Sequence, residues 1–324
     1  MSFSLDNPEN INTFFNENGY VVIDNIFTKQ ECNDIFLHCG NLITHQANNF
    51  DITKIETYDA ASQVLNNYGM ITRHPIMTNE FINMRQNENL YRAVNLFIND
   101  PTINHDRFLF YRPTTGLLIN KMCVDKPEWK TVFNSPGIHL DIDPKIYEED
   151  NLEETEKARE FLTYDDTVHY VSENHIYGKS EGLRLQGLIN IINNSEIDGG
   201  FTCVPGFHNK FDEWYTEKIY SGFEFTELGR YFFNSKSSID MKYISNSIRI
   251  PMKAGSIVLW DARLAHTGKP NLSNRPRLAL PFSVSPIQDM SSERRKNRRK
   301  LLDSVLEQNN IINITETGRK IFDL

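Results

Sequence analysis

The 324-residue sequence contains only four cysteines, Cys32, Cys39, Cys123 and Cys203. None stands in a C-x-x-C pair, and four are too sparse for a disulfide framework. Reduced thiols in an intracellular, cytoplasmic protein are therefore expected. No uninterrupted apolar run approaches the roughly 20 residues that a membrane-spanning helix requires. The opening MSFSLDNPEN lacks the basic and apolar regions of a secretory signal. On that reading the N-x-S/T tripeptides at Asn193, Asn271 and Asn313 carry no glycan. An excess of positive charge is missing too: the net charge is −9, which argues against a broad nucleic-acid footprint, and without a spanning run no membrane partner is expected. No internal repeat is present, and no glycine cluster has the strand–GxGxxG–helix setting of a nucleotide site. What remains, 39% hydrophobic and 24% charged residues, is the composition of an ordinary globular protein.

The first hundred residues read as helix, strand, helix. A helix containing Phe14 and Phe15 ends at Gly19, where a left-handed backbone is cheap. Tyr20-Val21-Val22-Ile23 has the β-branched and aromatic texture of a short buried strand. Thr28 followed three residues later by Glu31 is a capping box that opens a helix through about His45. The stretch to about residue 100 is mixed and helical, with no identifiable chemistry. From about residue 107 short strands take over, at Arg107–Arg112, Leu117–Met122, Leu183–Ile192, Ser256–Trp260 and Arg277–Val284. Gly, Pro and Asn clusters separate them, which points to a sandwich or barrel and not to a parallel βαβ sheet. The acidic insertion 144–175 and the basic run Glu293 to Lys300 are both expected to be solvated faces.

The chemistry concentrates in two segments. In Gly137-Ile138-His139-Leu140-Asp141 the imidazole and the carboxylate are two residues apart, so a strand puts them on one face. That supplies two donors of a 2-His-1-carboxylate triad, a set that suits Fe(II) and leaves coordination positions open. Among nine histidines, His266 stands apart because Thr267-Gly268-Lys269-Pro270 and an arginine-led apolar strand follow it. His208, after a Gly-Pro turn, reads as structural. An arginine near a metal site can grip a carboxylate with two parallel hydrogen bonds. Pro276 marks the start of the strand, so Arg277 lies inside it, whereas Arg275 solvates the turn. In Leu183–Ile192 the residues Arg184, Gln186 and Asn190 share one face, and periodicity leaves open whether that face is inside or solvated.

These segments, together with Phe15 to Val22 and Gly199 to His208, resemble the phytanoyl-CoA dioxygenase family of Fe(II)/2-oxoglutarate-dependent oxygenases. The resemblance spans most of the chain, to about Pro286. Its most specific part is an arginine eleven residues beyond the second histidine, as Arg277 follows His266 here. It implies an all-β core with flanking helices, a double-stranded β-helix (jelly roll, cupin-like). It implies one catalytic domain over 1–324, with mainly helical support at 1–105, the core at 106–286 and a basic helical extension at 287–324. It further implies that His139, Asp141 and His266 bind Fe(II) and that Arg277 binds 2-oxoglutarate. Lys121, Gln186 and Thr267 are further cosubstrate candidates. Some members carry a hydroxyl residue two places after the second histidine, where this chain has Gly268.

The implied reaction consumes O2 and 2-oxoglutarate, hydroxylates an unactivated C–H bond of a small-molecule substrate, and releases succinate and CO2. The carboxylate of Asp141 favours hydroxylation over halogenation. Desaturation or demethylation is the alternative outcome, and a non-catalytic jelly-roll binding module is the alternative class.

Overall fold

The computed structural model describes residues 1–61, 78–97, 108–110, 118–120, 137–141, 144, 185–225, 231–269, 271, 273, 275–286 and parts of 296–324. Its eleven described strands are β1 (Tyr20–Ile23), β2 (Phe108–Phe110), β3 (Leu118–Asn120), β4 (His139–Leu140), β5 (Leu185–Asn190), β6 (Gly200–Cys203), β7 (Tyr231–Phe232), β8 (Ile248–Arg249), β9 (Ile257–Asp261), β10 (His266–Lys269) and β11 (Arg277–Pro286). One antiparallel sheet runs β1-β9-β5-β11-β2, with β3 also on β11, and the other runs β7-β4-β10-β6-β8. From β3 on, the chain crosses repeatedly between the sheets: β3, β5, β9 and β11 lie in the first, and β4, β6 to β8 and β10 in the second. Two antiparallel sheets, of six and five strands, interleaved in this way form a jelly roll, here with flanking helices.

Local chemistry explains the N-terminal elements. Helix Pro8–Asn18 opens with Asn7 accepting from Asn10 N and with proline in its first turn, and it closes at Gly19 with φ 75°. A side chain at Gly19 would also collide with the His208 ring and with Leu264. His208 is thus structural, its Nε2 lying 3.1 Å from the Asn16 carbonyl. Helix Lys29–Thr44 has the expected capping box between Thr28 and Glu31. All four residues of β1 are buried, and β1 pairs with β9 from Tyr20↔Trp260 to Ile23↔Ile257. The N-terminal segment therefore donates a strand to the core sheet, beyond the helical support expected of it.

Strand alternation divides the core. Leu185, Ile189, Ile257, Leu259, Leu278 and Leu280 face outward beneath helices that contribute Ile35, Ile43 and Phe81. Leu188, Val258, Trp260 and Ala279 share a second cluster with Phe201 and Cys203 of the other sheet. Pro281 sits in the middle of β11, a position normally closed to proline. It falls between the stretches paired with β3 (Arg277–Ala279) and β2 (Val284–Pro286), so its missing N–H breaks neither ladder.

Helix Phe211–Tyr220 covers the second sheet through an aromatic layer that includes Phe207, Trp214 and Phe233. Beneath it Asp240, fully buried, accepts from Trp214 Nε1 (3.0 Å), Tyr231 Oη (2.8 Å) and Asn234 N (2.8 Å). It also pairs with buried Lys218 at 3.4 Å. This hub fixes β7, which pairs with β4 through His139↔Phe232 and Leu140↔Tyr231.

Cys32, Cys39 and Cys203 are free and buried, as expected, while Cys123 lies outside the described residues. Nearly all of the acidic insertion also lies outside them. Lys296, Arg299 and Lys300 are exposed and helical, and Arg299 pairs with Asp303 one turn on. Among the described residues, no helix is long and apolar enough to cross a membrane.

Replacing Asp240 with alanine leaves Lys218 buried without its counter-charge. The expected cost is about 3–5 kcal/mol of unfolding free energy, read from urea denaturation. An unchanged midpoint would contradict the role of the hub.

Candidate metal centre

Sheet register creates the site. In the second sheet His266 of β10 pairs directly with His139 of β4, and directly paired residues of antiparallel strands share a face. The two imidazole centroids lie 4.7 Å apart. Strand β4 ends at Leu140, and the chain bends at Asp141, which carries its carboxylate back to the same point. Asp141 Oδ1 is 3.7 Å from His139 Nε2, and Oδ2 is 3.5 Å from His266 Nε2. One donor atom from each of the three residues lies within 4.8 Å of the other two.

Hydrogen bonding sets the donors. His266 Nδ1 lies 2.8 Å from the Leu264 carbonyl, which can only accept, so Nδ1 carries the proton and Nε2 keeps its lone pair toward Asp141. Asp141 Oδ2 accepts from Gln186 Nε2 at 2.7 Å. Gln186 Oε1 in turn accepts from Trp260 Nε1 at 3.0 Å. An indole can only donate, so the amide oxygen must face Trp260 and the amide nitrogen must face the carboxylate. Gln186 and Trp260 are cross-strand partners on β5 and β9, which makes this relay a product of the first sheet's register. Two imidazoles and one buried carboxylate form a mixed N/O set that fits a ferrous ion. Cys203, opposite His266 in β6, is no competing ligand, because burial pushes its thiol well up and keeps it protonated.

The other expected residues are placed unequally. Gln186 is buried beside the triad, which settles the face that periodicity left open. Asn190 shares that face and is buried as well, donating to the carbonyls of Ile192, Met252 and Lys253. Arg277 is only 3% exposed at the start of β11, and burial first, then nearby Arg249, push its pKa down to about 9. It still carries its charge at neutral pH.

Thr267 is not brought to the triad: alternation along β10 turns its side chain to the face opposite His266. Gly268 shares the face of His266, and a Cβ there would meet nothing within 4 Å. Lys121 and Arg184 lie outside the described residues.

Arg275 does more than solvate its turn. Its Nη2 lies 2.7 Å from Asp198 Oδ1, a carboxylate that burial raises but that Arg275 and neighbouring donors hold well below the usual range. The side chain reaches Asp198 because the turn folds back over it, a contact between residues 77 apart that sequence spacing does not show.

Two residues near the site carried no sequence signal. Phe232 lies 5.4 Å from the His139 ring and is 53% exposed, and Arg249 lies beside Arg277. Both reach their places through pairings across the second sheet, which no local pattern encodes.

The family model for phytanoyl-CoA dioxygenase (PhyH) matches residues 165–279. A Dictyostelium discoideum protein provisionally named a phytanoyl-CoA dioxygenase is 30% identical over 330 residues, covering 94% of this chain and 88% of its own. The chain belongs to the phytanoyl-CoA dioxygenase family. Its membership, together with the His-Asp-His cluster, makes it an oxygenase of the iron and 2-oxoglutarate type.

Two solved structures share the family member's fold at lower identity. The Candida albicans GlcNAc Inducible Gene 2 product is 16% identical with a TM-score of 0.61, over 98% of this chain and 74% of its own. A Salmonella typhimurium LT2 protein provisionally named an oxidoreductase is 11% identical with a TM-score of 0.61, over 99% and 85%.

Replacing Trp260 with phenylalanine frees the Gln186 amide and loosens Asp141. Divalent-metal affinity, measured by calorimetry with Mn(II), should fall about 10–100-fold, as it does when outer partners of metal ligands are lost. Wild-type affinity in this variant would show that the relay does not orient the carboxylate.

Proposed function

We propose that this oxygenase hydroxylates an unactivated C–H bond of a small-molecule substrate, and that the whole chain, 1–324, works as one catalytic unit. The observation that carries the reading is the convergence of His139, Asp141 and His266 donor atoms within 4.8 Å. His139 Nε2, His266 Nε2 and the Asp141 carboxylate would hold Fe(II). Bound iron, with 2-oxoglutarate and O2, supplies the oxidising chemistry, which ends in succinate, CO2 and a hydroxylated product.

The chain's own residues have distinct tasks. Gln186 and Trp260 hold Asp141 in place, so that the carboxylate does not swing away as ligands exchange. Arg277 would take the distal carboxylate of 2-oxoglutarate as a two-pronged, charge-assisted pair, which its burial strengthens. Phe201, 4.6 Å from Trp260 and 6.0 Å from His266, closes the interior side against water. Phe232 lies on the open side, where an apolar part of the substrate would meet it.

Conversion of 2-oxoglutarate to succinate, followed by mass spectrometry, is the test. Wild-type protein should produce succinate only with Fe(II), lose turnover to a chelator and regain it on adding iron. Substituting both His139 and Asp141 with alanine should abolish metal retention and turnover together. A protein that formed no succinate with any small-molecule substrate in a broad screen would be a binding module, and the reading would be wrong.

Arg277→Ala should raise the KM for 2-oxoglutarate about 10–100-fold, the loss expected for hydrogen bonds to a charged group. Its metal affinity should stay near wild type. Equal loss of metal and cosubstrate affinity would place Arg277 in the wrong role.

A further inference from the structure

Arg277 shares its end of the barrel with a second guanidinium. Arg249 of β8 pairs in register with Thr202, and its side chain wraps the backbone at the start of β6. Its Nη1 donates to the carbonyls of Phe201 (3.2 Å) and Ile250, and its Nη2 to those of Ser195 (3.2 Å) and Gly199. The two arginines meet at Gly200. A Cβ at that position would lie 2.7 Å from Arg277 Nε and 2.9 Å from Arg249 Nη2, and the backbone there has φ 118°. Glycine is thus required on both steric and conformational grounds. Arg275 holds the same turn from its other side through Asp198. Two arginines therefore grip residues 195–200, and the glycine that ends this turn forms a wall against the third.

Charge is the second observation. Among the described residues, the buried Nε of Arg249 and that of Arg277 both lack a hydrogen-bond partner, and neither arginine forms an ion pair. Asp198, the acid acting most strongly on Arg249, is engaged by Arg275. Arg277 is buried and Arg249 half-buried beside it, and two like charges placed side by side in a partly dry site are costly unless an anion joins them.

Resting on the reading of Arg277 as cosubstrate anchor, we infer that Arg249 is a specificity residue. It adds the second positive charge that makes this pocket select 2-oxo acids ending in a distal carboxylate. Shape alone is a weak filter here, since a chain with or without that carboxylate has nearly the same width. Field strength discriminates between the two, and a neighbouring cation multiplies it.

The experiment is a calorimetric titration of the full-length, Mn(II)-loaded protein with 2-oxoglutarate and with 2-oxovalerate. The second acid has the same carbon chain but no distal carboxylate. Wild type should bind 2-oxoglutarate at least about 100-fold more tightly, as expected when a buried charged partner is left unmatched by the poorer ligand. Arg249→Gln should weaken 2-oxoglutarate about tenfold and leave 2-oxovalerate unchanged, since the charge beside Arg277 is removed and the uncharged end of 2-oxovalerate does not sense it. Arg249→Lys, which keeps the charge but cannot span the four carbonyls, should stay within about threefold of wild type for both acids. Thermal midpoints of the two variants, measured alongside, should move together.

The inference is overturned if Arg249→Gln binds 2-oxoglutarate like wild type, if it weakens both acids equally, or if Lys and Gln lose the same affinity. Those outcomes leave the cosubstrate reading intact as long as wild type and Arg277→Ala still differ. A wild-type protein that does not distinguish the two acids would instead overturn the reading of Arg277 itself, and this inference with it.

Discussion

The direct pairing of His266 with His139 across two adjacent antiparallel strands is the constraint on which the rest depends. A slip of one residue in β10 would turn the imidazole of His266 to the opposite face and bring Thr267 in its place. The register is held from both sides, since β10 also pairs with β6 over four residues and β4 with β7. The Asp240 hub secures β7 in turn. The candidate metal site thus inherits its precision from backbone ladders and a buried polar network, to which Gln186 and Trp260 add their hold on Asp141.

The second sheet positions the candidate ligands and the first supplies their support. Gln186 and Trp260 come from neighbouring strands of the first sheet and reach across the interior to the carboxylate. Arg277 enters from β11 of that same sheet. Around them Leu188, Val258 and Ala279 present apolar surface, which raises the strength of each charge placed there.

Much of this was legible in the sequence, for reasons that differ between elements. The Thr28–Glu31 box, the Gly19 stop and the β-branched run at Tyr20–Ile23 are local signals, and each element formed where expected. The His139/Asp141 pair was read from a strand's period of two, although Asp141 falls at the bend just past β4, and the eleven-residue step from His266 to Arg277 was read from the resemblance to the phytanoyl-CoA dioxygenase family. Periodicity could not tell the inside face of Leu185–Asn190 from the outside one. Burial of Gln186 and Asn190 decided it, through partners on β9 and in the 252–253 turn. Arg275, Arg249 and Phe232 were misread or missed because their partners lie far away in sequence, at Asp198, at the Gly199–Phe201 backbone and at His139. Contacts of that kind belong to topology.

Anomalous diffraction at the iron edge, from crystals grown anaerobically with Fe(II), tests the central claim most directly. The account predicts one strong peak per chain, within bonding distance of Nε2 of both histidines and of the Asp141 carboxylate. Iron bound elsewhere, or a His266 ring rotated out of reach of that peak, would contradict it.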